Sequence, residues 1–144
     1  MNKVQTYRNK ISGPLLDRID IHIEVPTIPY RELSSLKKGE PSAAIMERVV
    51  AGRKVQQERF LGRKKIHNNA AMTSKDLQKY CKLGDEAQNM LKMAITELNF
   101  SARAYDRILK VSRTIADLAG CEEITSEHIS EAIQYRTLDR QFWV

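Results

Sequence analysis

Across residues 19–25 apolar and polar positions alternate without a break: Ile19, Ile21, Ile23 and Val25 on one side, Asp20, His22 and Glu24 on the other. A period of two in β-branched residues predicts a strand, which Pro26 ends. It is the only convincing strand in the sequence. A lone strand leaves its backbone N–H and C=O groups unpaired, so the pattern calls for a partner outside these residues, either an identical chain or a missing sheet. We therefore expect the arm of residues 1–26 to be disordered alone or to pair with another chain. Upstream, residues 4–11 suit a short helix, punctuated by Ser12-Gly13-Pro14.

Downstream the period becomes helical. Residues 26–40 read as a loop, and Pro41-Ser42 opens a helix to about residue 61 with an apolar stripe of Ile45, Met46, Val49, Val50, Phe60 and Leu61. Gly52 weakens the middle of that helix. Thr73 or Ser74 suits the cap of a short helix ending near residue 80. The next helix spans about residues 85–98, with Ala87, Met90, Leu91, Ala94, Ile95 and Leu98 at helical spacing. Ser101 then caps an amphipathic helix running to Ala119 and stopped by Gly120, its buried stripe expected at Ile108, Val111, Ile115 and Leu118. Thr125 opens a last helix that buries Ile129, Ala132 and Ile133. The expected fold class is mainly α: an arm of residues 1–40 carrying one short strand, then a helical bundle over residues 41–144.

Composition is that of a globular chain, with 42% hydrophobic residues but only 6% aromatic, so Leu, Ile, Val, Ala and Met must build the core. The net charge of +6 favours anionic partners such as nucleic acid or nucleotide phosphate. Residues 48–65 hold Arg48, Arg53, Lys54, Arg59, Arg63, Lys64 and Lys65 against the single acid Glu58. That segment is either a solvated helix face or a surface for nucleic acid through Arg53, Arg59, Arg63, Lys64 and Lys65. Cys81, Cys121 and the three histidines have no metal-ligand spacing, so no metal site is expected and the thiols are read as reduced, in a cytoplasmic protein. No apolar run approaches the roughly 18 residues of a membrane span, and no membrane partner is expected.

No phosphate loop of the form GxxxxGK[ST] occurs among the six glycines, and no apolar strand ends in Asp-Glu. These residues alone are therefore not expected to hydrolyse a nucleotide. Two arginines remain of interest. Arg18 stands where a turn meets the expected strand, able either to reach a neighbour's phosphate or to pair with Asp17 or Asp20. Arg103 lies in the first turn after Ser101, where the helix dipole disfavours a cation but exposed N–H groups favour an anion. It is either half of an anion site or a solvated surface arginine.

The run Gly13-Pro14-Leu15-Leu16-Asp17-Arg18-Ile19-Asp20-Ile21-His22-Ile23-Glu24-Val25-Pro26 resembles the segment after sensor 1 in the magnesium-chelatase-like ComM/YifB family of AAA+ ATPases. Residues 101–118, Ser-Ala-Arg-Ala-Tyr-Asp-Arg-Ile-Leu-Lys-Val-Ser-Arg-Thr-Ile-Ala-Asp-Leu, resemble its sensor 2 helix, and residues 124–136 its last lid helix. MCM helicases carry a related pattern. The resemblance implies a helical AAA+ lid preceded by a strand of the parent sheet, in a ring of neighbouring subunits, most simply a hexamer. It implies that Arg18 is an arginine finger offered across the subunit boundary and Arg103 the sensor 2 arginine; Arg107 matches no family role. It implies ATP and Mg²⁺ as cofactors of a longer protein, with none bound by these residues alone, and remodelling of or translocation on DNA as the work done. A basic helical module that binds nucleic acid or a protein by itself is the competing reading.

Overall fold

A computed structural model describes residues 10–23, 25–30 and 39–136. Of the helix expected over residues 4–11, residues 4–9 lie outside the described residues, and Lys10 and Ile11 stand in a turn and a bend. Among the described residues six α-helices follow in order: α1 Gly13–Leu16, α2 Ser42–Arg59, α3 Ser74–Tyr80, α4 Asp85–Leu98, α5 Ala102–Leu118 and α6 Ser126–Gln134, with a 3₁₀ turn at Asn69–Ala71 before α3.

Local chemistry sets most boundaries. Thr73 and Asp76 form a reciprocal capping box at α3: Asp76 Oδ2 accepts from Thr73 N–H at 2.9 Å and from its hydroxyl at 2.6 Å. Those bonds, with Arg63 adding its charge, hold the Asp76 carboxyl below the usual range. Ser101 Oγ accepts from Ala104 N–H at 3.1 Å and starts α5. Asn99 and Gly120 take the left-handed conformation (φ 49° and 68°) that ends α4 and α5. At α6 the Thr125 N–H donates to His128 Nδ1 at 3.1 Å.

Helix α5 is the hub, packed against α2, the 3₁₀ turn, α3 and α6, while α6 also packs on α4. The core gathers Phe60, Ile66, Met72, Leu77, Ala87, Leu91, Ile108, Leu109, Ala116, Ile124, Ile129, Ala132 and Ile133. A single parallel bridge between Leu83 and Ile124 pins the loops at one end. Cys81 is buried, its thiol directed at Leu109 O and pushed up to about 11 by burial, whereas Cys121 is exposed.

Three sequence expectations change. The buried stripe of α5 is rotated: Ile108 is fully enclosed, but Val111 and Ile115 are half-buried and Leu118 is 47% exposed. Leu109, Ser112, Arg113, Ala116 and Asp117 are buried instead, because α5 has neighbours on several sides and a polar cluster fills one of them. On α2, Ile45, Met46, Val49 and Val50 are exposed, and the helix buries only Gly52 and Gln56. Its first turns project beyond the bundle. Gly52 does not interrupt the helix; it marks the closest approach of α2 to α5, where an added Cβ would lie 2.9 Å from Leu118 Cδ2.

The third change concerns the arm. No strand forms among the described residues 19–25, since the sheet that alternation requires has no second strand here. Over residues 16–22 the arm is docked on the helices and not disordered. Leu16 and His22 are buried, and the His22 N–H donates to Tyr135 O at 2.6 Å. Arg136, 1% exposed, donates from Nη1 to Ile19 O at 2.7 Å and from Nη2 to Leu16 O at 3.4 Å. The side chains of Ile19, Ile21 and Ile23 remain exposed.

The contact at Gly52 gives a first prediction. Gly52→Ala displaces only the half-exposed tip of Leu118 and gains up to about 1 kcal/mol of helix propensity, leaving stability near neutral or raised. Gly52→Leu forces α2 away from α5 and is expected to destabilise by about 1–3 kcal/mol in urea unfolding. Equal midpoints for Gly52→Leu and the unmodified chain would mean that the helices are not in close contact.

Candidate functional site

Arg103 occupies the first turn of α5, with no acidic residue beside it in that turn. It is exposed, and among the described residues it makes no ion pair. A cation gains nothing from the positive end of a 17-residue helix. Stability does not account for it, whereas an anion arriving at the helix start would meet both the guanidinium and first-turn N–H groups.

Arg18 follows α1, its own N–H donating to Leu15 O at 3.0 Å to close the turn. Its side chain is exposed and, among the described residues, takes no ion-pair partner. Pairing with Asp20 is not realised. Asp20 is held instead by Arg107, with Nη1 2.7 Å from Oδ1, a close ionic contact without the alignment of a hydrogen bond. Arg107 is one turn along α5 from Arg103, so the helix that carries one arginine also grips the segment that carries the other. No hydrogen bond or ion pair joins Arg18 to Arg103 directly.

Part of the basic segment is committed to partners within the fold. Arg59, expected among the nucleic-acid contacts, is a correction: its side chain is only 13% exposed and its guanidinium is spent on Asp117, with Nη1 2.6 Å from Oδ2 and Nη2 on Oδ1. An isolated carboxylate cannot stay charged in a core, and Arg59 supplies the bidentate partner. Asn69 Nδ2 donates to Asp117 Oδ2 at 2.8 Å and Arg113 Nε to Oδ1 at 3.1 Å. Arg113 further donates to the carbonyls of Glu122 and Cys121 at 2.6 and 2.7 Å, and Gln56 accepts from Asn69 N–H at 3.0 Å. Arg63 is half-exposed but lies 3.1 Å from Asp76, and Arg48 is paired with Glu40. Arg53, Lys54, Lys64 and Lys65 remain as exposed cations.

Sequence reasoning assigned no role to Arg107, Arg113, Asp117 and Arg136. One signal was available for Asp117: an acid in the last turn of a helix opposes the dipole, so its presence asks for a partner, and Arg113 stands four residues before it. Arg136 gave none, because its acceptors are carbonyls more than a hundred residues away. A cleft of about 790 Å³ beside this cluster is lined by Arg59, Lys79, Lys82, Arg113 and Asp117, but its arginines are already engaged. Among the described residues no three His, Cys, Asp or Glu side chains gather to hold a metal. No helix of the described residues is long and apolar enough to cross a membrane.

The sequence matches two family models: magnesium chelatase, subunit ChlI C-terminal, over residues 39–136, and magnesium chelatase, subunit ChlI, over residues 1–33. Competence protein ComM of Haemophilus influenzae is 45% identical over 139 residues, covering 96% of this chain and 26% of that protein. YifB of Salmonella typhimurium and YifB of Escherichia coli are each 41% identical over 135 residues, covering 93% of this chain and 26% of those proteins. The chain spans about a quarter of the length of the curated relatives it matches.

The buried cluster yields a stability prediction. Asp117→Ala leaves Arg59 and Arg113 without their carboxylate and is expected to destabilise by about 3–5 kcal/mol in denaturant unfolding. Lys64→Ala and Lys65→Ala, on open surface, are expected to stay within about 0.5 kcal/mol. An Asp117→Ala loss as small as that of the lysine variants would show that the cluster does not hold α2 to α5.

Proposed function

The chain belongs to the magnesium chelatase, subunit ChlI C-terminal family, and from that premise we propose that it forms the arginine-finger arm and lid of an AAA+ ATPase. In this reading it contributes in trans to ATP hydrolysis and, through it, to remodelling of or translocation on DNA. The observation that carries the reading is the state of Arg18: exposed and without an ion pair among the described residues, although Asp17 and Asp20 flank it. A guanidinium left open at the end of a turn can meet an anion on another molecule.

The residues fit a nucleotide. Arg18 presents a guanidinium that stays protonated at any working pH, with a fork of donors matched to phosphate oxygens. Arg103 presents a second beside the N-terminus of α5. ATP with Mg²⁺, held by other segments of the longer protein, supplies the phosphoanhydride to be cleaved. Toward it, Arg18 of one subunit stabilises the charge that develops on the neighbour's γ-phosphate oxygens, and Arg103 ties the position of the lid to the occupancy of the site. Arg53, Lys64 and Lys65 support contact with a DNA backbone; phosphate contacts of that kind weaken steeply with salt.

The test is Arg18→Ala in the full-length protein. An arginine finger accounts for roughly 10³–10⁵ in rate in other phosphoryl-transfer enzymes, so hydrolysis should fall to background while ATP still binds. ATPase turnover and binding of a fluorescent ATP analogue measure the two separately. Unchanged turnover would remove Arg18 from the reaction.

A further inference from the structure

Arg18 is held on both flanks by the lid. One guanidinium, that of Arg136, reaches the carbonyls of Leu16 and Ile19, so the residues gripped lie on either side of Asp17 and Arg18. Next to them Asp20 meets Arg107 at 2.7 Å, and the His22 N–H donates to Tyr135 O. The two anchors come from different helices: Arg107 from the second turn of α5, Arg136 from the turn that closes α6. Neither contact is needed to complete the apolar core, whose buried members on α5 and α6 are Ile108, Leu109, Ala116, Ile129, Ala132 and Ile133.

Resting on the reading of Arg18 as the finger, we propose that Arg107 and Arg136 are positioning residues for it, and that α5 links an anion bound at Arg103 to the setting of Arg18. Arg103 and Arg107 sit one turn apart, about 6 Å along the axis, on the same side of α5. A helix packed on four other elements moves as a rigid piece. A shift drawn by an anion at Arg103 is therefore delivered to Asp20 through Arg107, and Asp20 lies two residues from Arg18, just past the turn that closes α1. Arg136 fixes the other reference point, so the arm turns with the lid and not independently of it.

The Asp20–Arg107 pair gives the test, since both side chains are partly exposed and can be exchanged without opening the core. In the full-length protein, Asp20→Arg and Arg107→Asp are each expected to lower kcat for ATP by at least about tenfold, with KM within about twofold. Both should reduce the Hill coefficient for ATP. The double exchange, Asp20→Arg with Arg107→Asp, restores the pair in reverse and should recover turnover to within about threefold; such coupling is the mark of a direct contact. Arg107→Lys, which keeps the charge, should retain most activity. Single variants with normal turnover and cooperativity would overturn the proposal, as would a double exchange no better than the singles. Arg18→Ala assayed alongside separates the two levels. If it is inactive while Arg107→Asp is normal, the relay fails and the finger stands; if it is active, the finger reading fails and the relay with it.

Discussion

A carboxylate removed from water governs the geometry of this domain. Asp117 is enclosed among Arg59, Arg113 and Asn69, and each partner comes from a different stretch of chain: the end of α2, the body of α5 and the 3₁₀ turn. Desolvating one charge would be prohibitive unless every oxygen is met, and here donors converge on both. The directionality of those bonds fixes α2 against α5 more sharply than apolar contact could. That registration places Gly52 opposite Leu118 and leaves the first turns of α2 outside the bundle.

Much of the fold was legible because capping and periodicity are local. Thr73, Ser101 and Gly120 mark their boundaries with chemistry that depends on a few neighbouring residues. The helices α4, α5 and α6 follow from their spacing in the same way. What escaped is what arises between distant segments. The face of α5 that is buried depends on Asp117 finding Arg59, 58 residues away, and that pairing turned Arg59 from an expected surface cation into a structural one. The alternation of residues 19–25 was read for a strand, yet alternation encodes only which side chains share a face. Hydrogen-bonding partners must come from other strands, and here the backbone finds Tyr135 and Arg136 of the helical lid instead.

The same contrast sorts the arginines. Arg48, Arg59, Arg63, Arg107, Arg113 and Arg136 all have partners in the chain, whether a carboxylate or a carbonyl. Arg18, Arg53 and Arg103 are exposed and make no ion pair among the described residues. Sequence singles out Arg18 from its place at a turn and Arg103 from its conflict with the helix dipole, and Arg53 only as one of a basic segment. A guanidinium that the fold declines to satisfy is a stronger pointer to an external anion than the net charge of the chain, which mixes structural and available cations without distinction.

The two cysteines differ in a way that bears on how motion in this domain can be watched. Cys81 is shielded and its thiol stays protonated at neutral pH, whereas Cys121 stands in the open just beyond the end of α5, its carbonyl bonded to Arg113. Maleimide dyes added to the folded chain therefore attach to one atom, Cys121 Sγ, without prior mutagenesis. That atom lies at the far end of the helix that begins with Arg103, so the native sequence carries its own optical gauge of lid displacement.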